Sequence, residues 1–128
     1  MARRKIAFRA VALTISCTDR VRSEHFYSDI LGGELEPGDG NGPCRSYRFG
    51  SLSVSIMPNA DSRSPAKMPE HAMAMLWLEV DDLEAAHAHL AKQKVQILEP
   101  PNGLYMIIAD PDGLVIEVWQ AEPNEVAS

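Results

Sequence analysis

Glu117 is the residue whose type and position in this sequence most directly indicate chemistry. It lies in the segment Asp110–Trp119, where a turn leads straight into an apolar strand. Pro111 fixes φ at the second turn position, and Gly113 tolerates the positive φ that closes such a turn. Side chains alternate along a strand, so Glu117 points away from the face that carries Leu114, Ile116 and Val118. A carboxylate there predicts either a solvated sheet face or a site for a metal ion or polar ligand.

The elements that must position Glu117 occur twice in the sequence. The alternating segment 11–18 predicts a strand, and Thr18 and Asp19 offer N-caps for a helix that runs to about Leu31. Asp81 and Asp82 offer caps for a second helix. The other predicted strands lie near 33–36, 43–49, 51–57, 74–80, 95–98, 103–109 and 114–120. The caps recur about 62 positions apart, and so do Gly50 and Gly113, which indicates an internal repeat.

This order predicts an α+β fold made of two βαβββ repeats. We expect repeat one at about 8–57, a linker at 58–73, repeat two at about 74–120 and a frayed tail at 121–128. At 128 residues the chain is one domain by length. Because each repeat has one helix for four strands, the helix covers one face of a curved mixed sheet. The other face is then expected to form a binding cleft.

Composition narrows the classes of partner. The net charge is −6, and no basic cluster follows the first five residues, so a nucleic-acid partner is disfavoured. No apolar run approaches the ~20 residues of a membrane span, so we expect a cytoplasmic protein without membrane contact. Cys17 is expected to be a small buried apolar residue, and neither it nor Cys44 has the spacing of a metal-binding motif.

Alternation predicts which side chains share the concave face with Glu117. They include hydroxyls, a thioether, two tryptophans and a second carboxylate: Thr14, Ser16, Ser53, Ser55, Met75, Trp77, Glu79, Val115, Glu117 and Trp119. Tyr47 and Tyr105 are further candidates from the third strand of each repeat. Aromatic faces attract planar or cationic groups, and Glu79 and Glu117 could pair with a ligand amine. Trp77 and Trp119 could instead fill an interface between the repeats or between copies of the chain.

Three motifs in this order resemble the vicinal oxygen chelate superfamily, which includes glyoxalase I, bleomycin-resistance proteins and extradiol dioxygenases. They are Asp19-x-x-x-Ser23-x-x-Phe26-Tyr27-x-x-x-Leu31-Gly32, then Leu78-Glu79-Val80-Asp81-Asp82-Leu83, then Asp110-Pro111-Asp112-Gly113-x-x-x-Glu117. Together they cover nearly the whole chain. The resemblance implies the fold, whereas function in this superfamily varies widely.

In metal-dependent members of that superfamily, His, Gln or Glu residues on the first and last strands of each half hold a divalent ion. The matching positions here are Ala12, Ser55, Met75 and Glu117, of which only Glu117 fits. Zinc and iron prefer imidazole with carboxylate, and hard cations take about six oxygens. The resemblance therefore implies no metal site and no cofactor.

The four histidines are expected to be structural or solvated. His25, His87 and His89 lie in the predicted helices, and residues two apart do not share a helix face. His71 lies in the linker, from which it could fold over the cleft.

Three function classes remain open, the third of which is a small dimeric structural or regulatory module whose cleft is vestigial. The first is a metal-free protein resembling the bleomycin-resistance branch, which binds a small aromatic or cationic molecule through Thr14, Ser16, Ser55, Met75, Trp77, Glu79, Tyr105, Glu117 and Trp119. The second is an enzyme of lyase, isomerase or dioxygenase type, in which Glu117 acts as general base or joins Glu79 and His71 in an unusual metal site. The resemblance also implies a homodimer, formed side by side or by exchange of a βαβββ half.

Overall fold

The fold follows the predicted repeat. A computed structural model describes residues 6–37, 45–57 and 74–122. The first half contains β1 (Ala12–Ser16), α1 (Arg20–Glu24), a π-helical segment (His25–Ile30), β2 (Glu34–Leu35), β3 (Arg45–Phe49) and β4 (Leu52–Met57). The second contains β5 (Met75–Val80), α2 (Leu83–Lys92), β6 (Gln96–Glu99), β7 (Tyr105–Ala109) and β8 (Val115–Gln120). Both halves are therefore βαβββ units, which confirms the predicted fold class.

Each half forms one four-stranded mixed sheet. The strand orders are β1-β4-β3-β2 and β5-β8-β7-β6, so the two halves have the same topology. In both sheets the first and last strands of the half are parallel and the remaining pairs are antiparallel. Thr14 lies opposite Ser55, and Trp77 lies opposite Glu117. The strand register thus places the Thr14–Ser55 and Trp77–Glu117 pairs at equivalent points of the repeat.

The helices begin at the predicted aspartates. The Asp19 carboxylate accepts from the Arg22 N–H at 3.2 Å, and the Asp82 carboxylate accepts from the Ala85 N–H at 3.0 Å. Such bonds satisfy N–H groups that have no partner within the helix. The first helix differs from the continuous helix that the pattern predicts. It widens into the π-helical segment, in which the Leu31 N–H donates to the Phe26 carbonyl five residues earlier, and Gly32 ends it with φ 79°.

The helix-facing sides of both sheets share one core. Tyr27 from the first helix, Val54 from β4, and Met106, Ile108 and Ile116 from the second sheet are fully buried in it. Cys17 is 1% exposed, which confirms its prediction as a buried apolar residue, and burial raises the pKa of its thiol. Because both sheets turn their helix-facing sides to this core, their opposite sides point away from it. We call these opposite sides the outer faces.

Two further predictions concern the ends of the repeats. The linker at 58–73 lies outside the described residues, as do 123–128 of the predicted tail. The Ala121 N–H donates to the Val80 carbonyl at 2.9 Å, which extends the pairing of β8 with β5 by one residue. Within the described ranges no helix has the length and apolar character to cross a membrane.

Candidate functional site

An aromatic stack covers one end of the outer face of the second sheet. Tyr105 on β7 and Trp119 on β8 are directly opposite each other, with ring centroids 4.7 Å apart and planes 25° apart. Trp77 on β5 lies 5.1 Å from Trp119 at 32°. Three neighbouring strands thus each contribute one ring to the same face. Trp77 remains 60% exposed, so the edge of the stack is open to a ligand.

Glu117 lies beside this stack in the middle strand. It is half-buried, with Trp77 opposite on β5 and Ile107 opposite on β7. Its Oε1 atom accepts from the Trp119 indole Nε1–H at 3.1 Å. That bond orients the Trp119 ring and holds the carboxylate at the nitrogen edge of that ring. A negative charge is therefore available to any group that stacks on the aromatic surface.

The rest of this face is mixed in character. Met75 and Glu79 are exposed on β5, at either side of Trp77. Ile107, Ala109 and Val115 are almost completely buried although they lie on the outer face, so the face has an apolar end and an aromatic end. Ile107 was not predicted as a neighbour of Glu117. Its place beside Glu117 follows from the pairing register of β7 with β8, which alternation within a single strand cannot predict.

The outer face of the first sheet carries hydroxyls instead of rings. Thr14 and Ser16 are exposed on β1, and Ser55 is half-buried on β4 opposite Thr14. The Ser55 and Ser46 hydroxyls are 2.6 Å apart, in a hydrogen bond across β3 and β4. The side chains of Thr14, Ser16 and Ser55 are small hydroxyl groups, so this part of the outer face is shallow and polar.

The prediction that Tyr47 joins this face is wrong. It lies opposite Val54 and Leu35, which places it on the helix-facing side, and it is 4% exposed. Burial raises the pKa of its hydroxyl. The face of a strand residue depends on the pairing register, which alternation within the segment 43–49 alone does not determine.

Six of the nine predicted ligand-binding residues therefore lie together on the second sheet. They are Met75, Trp77, Glu79, Tyr105, Glu117 and Trp119. Thr14, Ser16 and Ser55 lie on the outer face of the first sheet. Among the described residues, most of the side-chain hydrogen bonds between the two halves lie elsewhere, between the start of the first helix and the turn that follows β7.

That connection, which we call the closed junction, consists of Thr18, Ser23, Tyr27, Asp110 and Asp112. The Tyr27 hydroxyl donates to Asp110 Oδ2 at 2.8 Å. The Thr18 hydroxyl donates to Asp112 Oδ1 at 2.6 Å, its N–H donates to Asp112 Oδ2 at 3.2 Å, and the Ser23 hydroxyl donates to Asp112 Oδ2 at 3.4 Å. These hydrogen bonds connect the first helix to the turn before β8, which is the strand that carries Glu117.

Asp110 is the buried centre of the closed junction. Its Oδ1 atom accepts from the N–H groups of Asp112 and Leu114, so it also closes the turn. Burial raises the pKa of the Asp110 carboxyl, although the hydrogen bonds from Leu114 and Tyr27 act in the opposite direction. Burial and the charge of Asp110 raise the pKa of Tyr27 well above its ordinary value. The Tyr27 hydroxyl therefore keeps its proton and serves as a donor.

An open groove of about 1010 Å³ lies between the halves, bounded by Arg48–Ser51 of the first and by β5 and α2 of the second. Its apolar floor includes Leu78, Val80, Leu90 and Val118, and its polar lining includes Glu34, Arg48, Glu79 and His89. The His89 Nε2 atom is 2.9 Å from the Ile30 carbonyl oxygen, within hydrogen-bonding distance. We refer to this feature as the open groove.

The donor set does not fit a divalent metal ion. Ala12 offers a methyl group and Met75 a thioether at two of the four superfamily ligand positions, beside the Ser55 hydroxyl and the Glu117 carboxylate. Within residues 6–37, 45–57 and 74–122, no three His, Cys, Asp or Glu side chains cluster as a metal site would require. His71, the histidine considered for such a site, lies outside these ranges.

Solved structures with this fold come from diverse sources. A virulence protein from Salmonella typhimurium has 21% sequence identity and a TM-score of 0.67, covering 92% of this chain and 100% of that one. An integron cassette protein from V. cholerae has 24% identity and a TM-score of 0.69, covering 94% and 100%. The trypanothione-dependent glyoxalase I of Leishmania major has 23% identity and a TM-score of 0.64, covering 89% and 87%. At these identities the likeness concerns the fold alone.

The sequence itself identifies the superfamily. No curated protein matches the chain in a sequence comparison. The sequence profile of the Glyoxalase/Bleomycin resistance protein/Dioxygenase superfamily matches residues 9–118, which is most of the chain and includes both halves. This protein belongs to the Glyoxalase/Bleomycin resistance protein/Dioxygenase superfamily.

Proposed function

We propose that this protein binds a small planar aromatic cation on the outer face of the second sheet, without a metal ion. The observation that carries the proposal is the stack of Tyr105, Trp119 and Trp77 beside the Glu117 carboxylate. Rings held together in this way present a rigid surface, so little side-chain entropy is lost when a planar ligand stacks on them.

Charge complements the aromatic surface. Tryptophan is the side chain whose ring attracts a cation most strongly, by about 0.5–2 kcal/mol per contact. Glu117 lies within this surface and Glu79 flanks Trp77 on β5, so two carboxylates are close to the rings. The net charge of −6 also favours the approach of a cation.

The metal-free part of the proposal rests on the donor set. A methyl, a hydroxyl, a thioether and one carboxylate leave too few ligands for zinc, iron or a hard cation. Glu117 is accordingly a carboxylate that faces the ligand.

We also propose that the protein is cytoplasmic and that it forms a homodimer. Exposed apolar side chains on the second sheet, among them Met75 and Trp77, provide area that a second copy can bury. In such a pair the hydroxyls of Thr14, Ser16 and Ser55 would supply polar contacts to the ligand.

The test is a calorimetric titration with N-methylacridinium, a planar aromatic cation, and with anthracene sulfonate, a planar aromatic anion. We expect saturable binding of the cation and much weaker binding of the anion. Trp77→Ala should weaken cation binding by about tenfold, because it removes one stacking face and its cation–π attraction. Equal binding of both compounds, or no response to either, would contradict the proposal.

Two variants that each remove one carboxylate distinguish attraction of the cation by Glu117 from attraction by the net charge of the protein. Glu117→Gln should weaken binding of the cation about fivefold, whereas Glu84→Gln should leave it unchanged. Glu84 is an exposed carboxylate in the first turn of α2, so its removal changes the net charge equally. An equal loss in both variants would show only a general effect of charge.

A second candidate function is catalysis of proton abstraction next to a carbonyl, as in an isomerase or lyase, with Glu117 as general base. The half-buried position of Glu117 between Trp77 and Ile107 favours it, since an apolar surface excludes competing water. The test is α-proton exchange of small α-hydroxy ketones in D₂O followed by NMR. Exchange that Glu117→Gln abolishes and Glu84→Gln retains would support catalysis, and exchange unaffected by Glu117→Gln would exclude this role.

A further inference from the structure

A second cavity lies beside the helices and shares no residue with the aromatic stack. It has a volume of about 320 Å³ and lies between the first helix, the end of α2 with the start of β6, and the turn that follows β7. This volume is at the lower end of the range of about 300–1,000 Å³ that is typical of small-molecule sites. We call the cavity the helix pocket, and its lining includes Arg22, Phe26, Ile30, Lys94, Val95 and Asp110.

Arg22 brings a buried donor to the helix pocket. Its Nε atom is buried, yet the described residues give the Nε–H group no hydrogen-bond acceptor. A buried donor without an acceptor is uncommon and calls for an explanation, such as a role in binding. The Arg22 Nη2 atom is 3.2 Å from the Thr18 hydroxyl and 3.8 Å from Asp112 Oδ1, and both contacts are long. Because the side chain is 40% exposed, it can turn to offer the Nε–H group to an acceptor in the pocket.

Lys94 occupies a position that ordinarily favours glycine. At the end of α2 the Lys94 N–H donates to the Ala91 carbonyl, and the Val95 N–H donates to the Leu90 carbonyl. These two bonds form the Schellman motif, in which the residue after the C-cap takes a positive φ. Lys94 has φ 61°, which is unfavourable for any residue that carries a Cβ. Residues held in such conformations occur often at functional sites, and here the conformation places a lysine in the lining of the helix pocket.

The charges of the helix pocket favour an anion. Its lining contains the two cations Arg22 and Lys94 and one carboxyl, that of Asp110. The Asp110 oxygens already accept three hydrogen bonds, from one hydroxyl and two backbone N–H groups. On the first helix, Asp29 Oδ2 is bonded to His25 Nδ1 at 2.8 Å. The carbonyls in the last turn of α2 accept from the N–H groups of residues 93–95. These negative groups are therefore partnered, and an incoming anion meets the two cations.

The rest of the helix pocket is apolar. Phe26 is 4% exposed, and Ile30 and Val95 are half-buried beside it. Apolar walls next to two cations suit an anion that carries an apolar body. A carboxylate matches the planar guanidinium of Arg22, which can form two parallel N–H bonds to it. Inorganic phosphate lacks an apolar part and would leave these walls uncovered.

We propose that the helix pocket binds a small monocarboxylate with an apolar body. Its carboxylate bonds to Arg22 and Lys94, and its body packs against Phe26, Ile30 and Val95. The site is separate from the outer face of the second sheet, so this inference does not depend on the proposed function.

The direct test is an NMR titration of the ¹⁵N-labelled protein with cyclohexylacetate, whose saturated ring does not stack as an aromatic ring does. We expect saturable shifts of the Arg22 Nε–H signal and of the Val95 amide signal, with a Kd of about 1 mM or lower. The Arg22 signal is assigned by its loss in Arg22→Lys. The indole signals of Trp77 and Trp119 should not move. Cyclohexylacetamide, which has no charge, and acetate, which has no apolar body, should each bind at least tenfold more weakly.

Two lysines at the end of α2 provide matched variants. Lys94→Gln should raise the Kd of cyclohexylacetate about tenfold, whereas Lys92→Gln, at an exposed residue outside the helix pocket, should leave it unchanged. Lys94→Gly should weaken binding as Lys94→Gln does and should also raise the Tm by about 3 °C, because glycine adopts the positive φ without strain. A lysine with only a structural role would not combine a more stable protein with weaker binding.

Each other outcome counts against the inference. The absence of a saturable shift would exclude the site, and shifts of the Trp77 and Trp119 indole signals alone would place the carboxylate on the aromatic stack instead. Equal losses in Lys94→Gln and Lys92→Gln, or binding of cyclohexylacetamide as tight as that of the carboxylate, would overturn the role of charge. The proposed function is checked in the same samples, since N-methylacridinium should still shift the indole signals in Lys94→Gly. Either proposal can therefore fail while the other stands.

Discussion

The two places where a helix of one half meets the hairpin turn of the other differ sharply. At the closed junction, the first helix is bonded to the β7–β8 turn through Tyr27, Asp110 and Asp112. At the equivalent place in the repeat, α2 and the β3–β4 turn bound the open groove of about 1010 Å³. The same topology thus gives a hydrogen-bonded contact at the closed junction and a cavity at the open groove.

Three pairs of equivalent positions explain the difference. Asp112 precedes Gly113 in one turn, whereas Phe49 precedes Gly50 in the other. The Phe49 ring turns back into its own half, edge-on to Tyr27 at 6.5 Å and against Gly33. Ala86 and Leu90 occupy the places on α2 that Ser23 and Tyr27 occupy on the first helix, so α2 has no hydroxyl to donate there. A few polar residues therefore decide whether the interface between the repeats closes or stays open.

The largest expected effect comes from breaking the closed junction at its centre. Asp110→Ala leaves the Tyr27 hydroxyl and two backbone N–H groups without their buried acceptor. The free energy of unfolding should fall by about 3 kcal/mol, measured by urea denaturation. Asp110→Asn keeps an acceptor for the turn and should cost less than half as much. A smaller loss for Asp110→Ala than for Asp110→Asn would contradict this account.

Beside the open groove, Gly33 is a position where a larger residue would clash with its neighbours. An added Cβ would lie 2.6 Å from the Phe49 ring and 2.9 Å from the Tyr27 carbonyl oxygen. Gly33→Ala should therefore destabilise the protein by about 2 kcal/mol, because overpacking forces the ring to move. The control is the double variant with Phe49→Leu, in which a shorter side chain should recover part of the loss relative to Phe49→Leu alone. Full additivity of the two changes would show that the ring is not the obstacle.

Ser23 on the first helix and Ala86 on α2 are equivalent positions, and exchanging their residue types tests how much the hydroxyl contributes. Ser23→Ala removes a buried donor to Asp112 and should cost about 1 kcal/mol in thermal or urea unfolding. Ala86→Ser, the reverse change at the equivalent position, should alter stability by less than about 0.5 kcal/mol because it borders the groove. Equal effects in both variants would mean that the two junctions are energetically alike.

The smallest expected effect is a dependence on pH. Because burial raises the pKa of Asp110, the folded chain binds that proton more tightly than the unfolded chain. The contribution is fully present below the unfolded pKa of about 3.9 and is lost as pH rises through the folded value. The stability of the native protein relative to Asp110→Asn should therefore decrease as the pH rises above about 4, as measured by urea titration at each pH. A difference that stays constant or increases with pH would refute the assignment.

Most of the fold could be predicted because its signals are local. Asp19 and Asp82 cap the helices as expected, and alternation correctly assigned the two faces of β8. Alternation in β5 and β8 also predicts that Trp77 and Trp119 lie on the same face as Glu117. These signals depend on neighbours within one element.

What could not be predicted depends on contacts between distant residues. Tyr27 and Asp110 are 83 positions apart, and Thr18 and Asp112 are 94 apart, so nothing in either segment indicates the bond. The face of Tyr47 could not be predicted either, because the register of the third strand is set by its pairing with β2 and β4. The burial of Ile107 also depends on pairing between strands.

In the π-helical segment of the first helix, the number of residues is expected to be more constrained than the types of its exposed residues. Ser28 and Asp29 are among its less buried residues, and substitutions there should be tolerated. Removing either one, however, would turn the wide π turn into an ordinary α turn and shift Gly33 relative to Tyr27, whose carbonyl accepts from the Gly33 N–H at 2.9 Å. In natural variation among related sequences, this stretch should therefore admit many exchanges of residue type but no change in residue count.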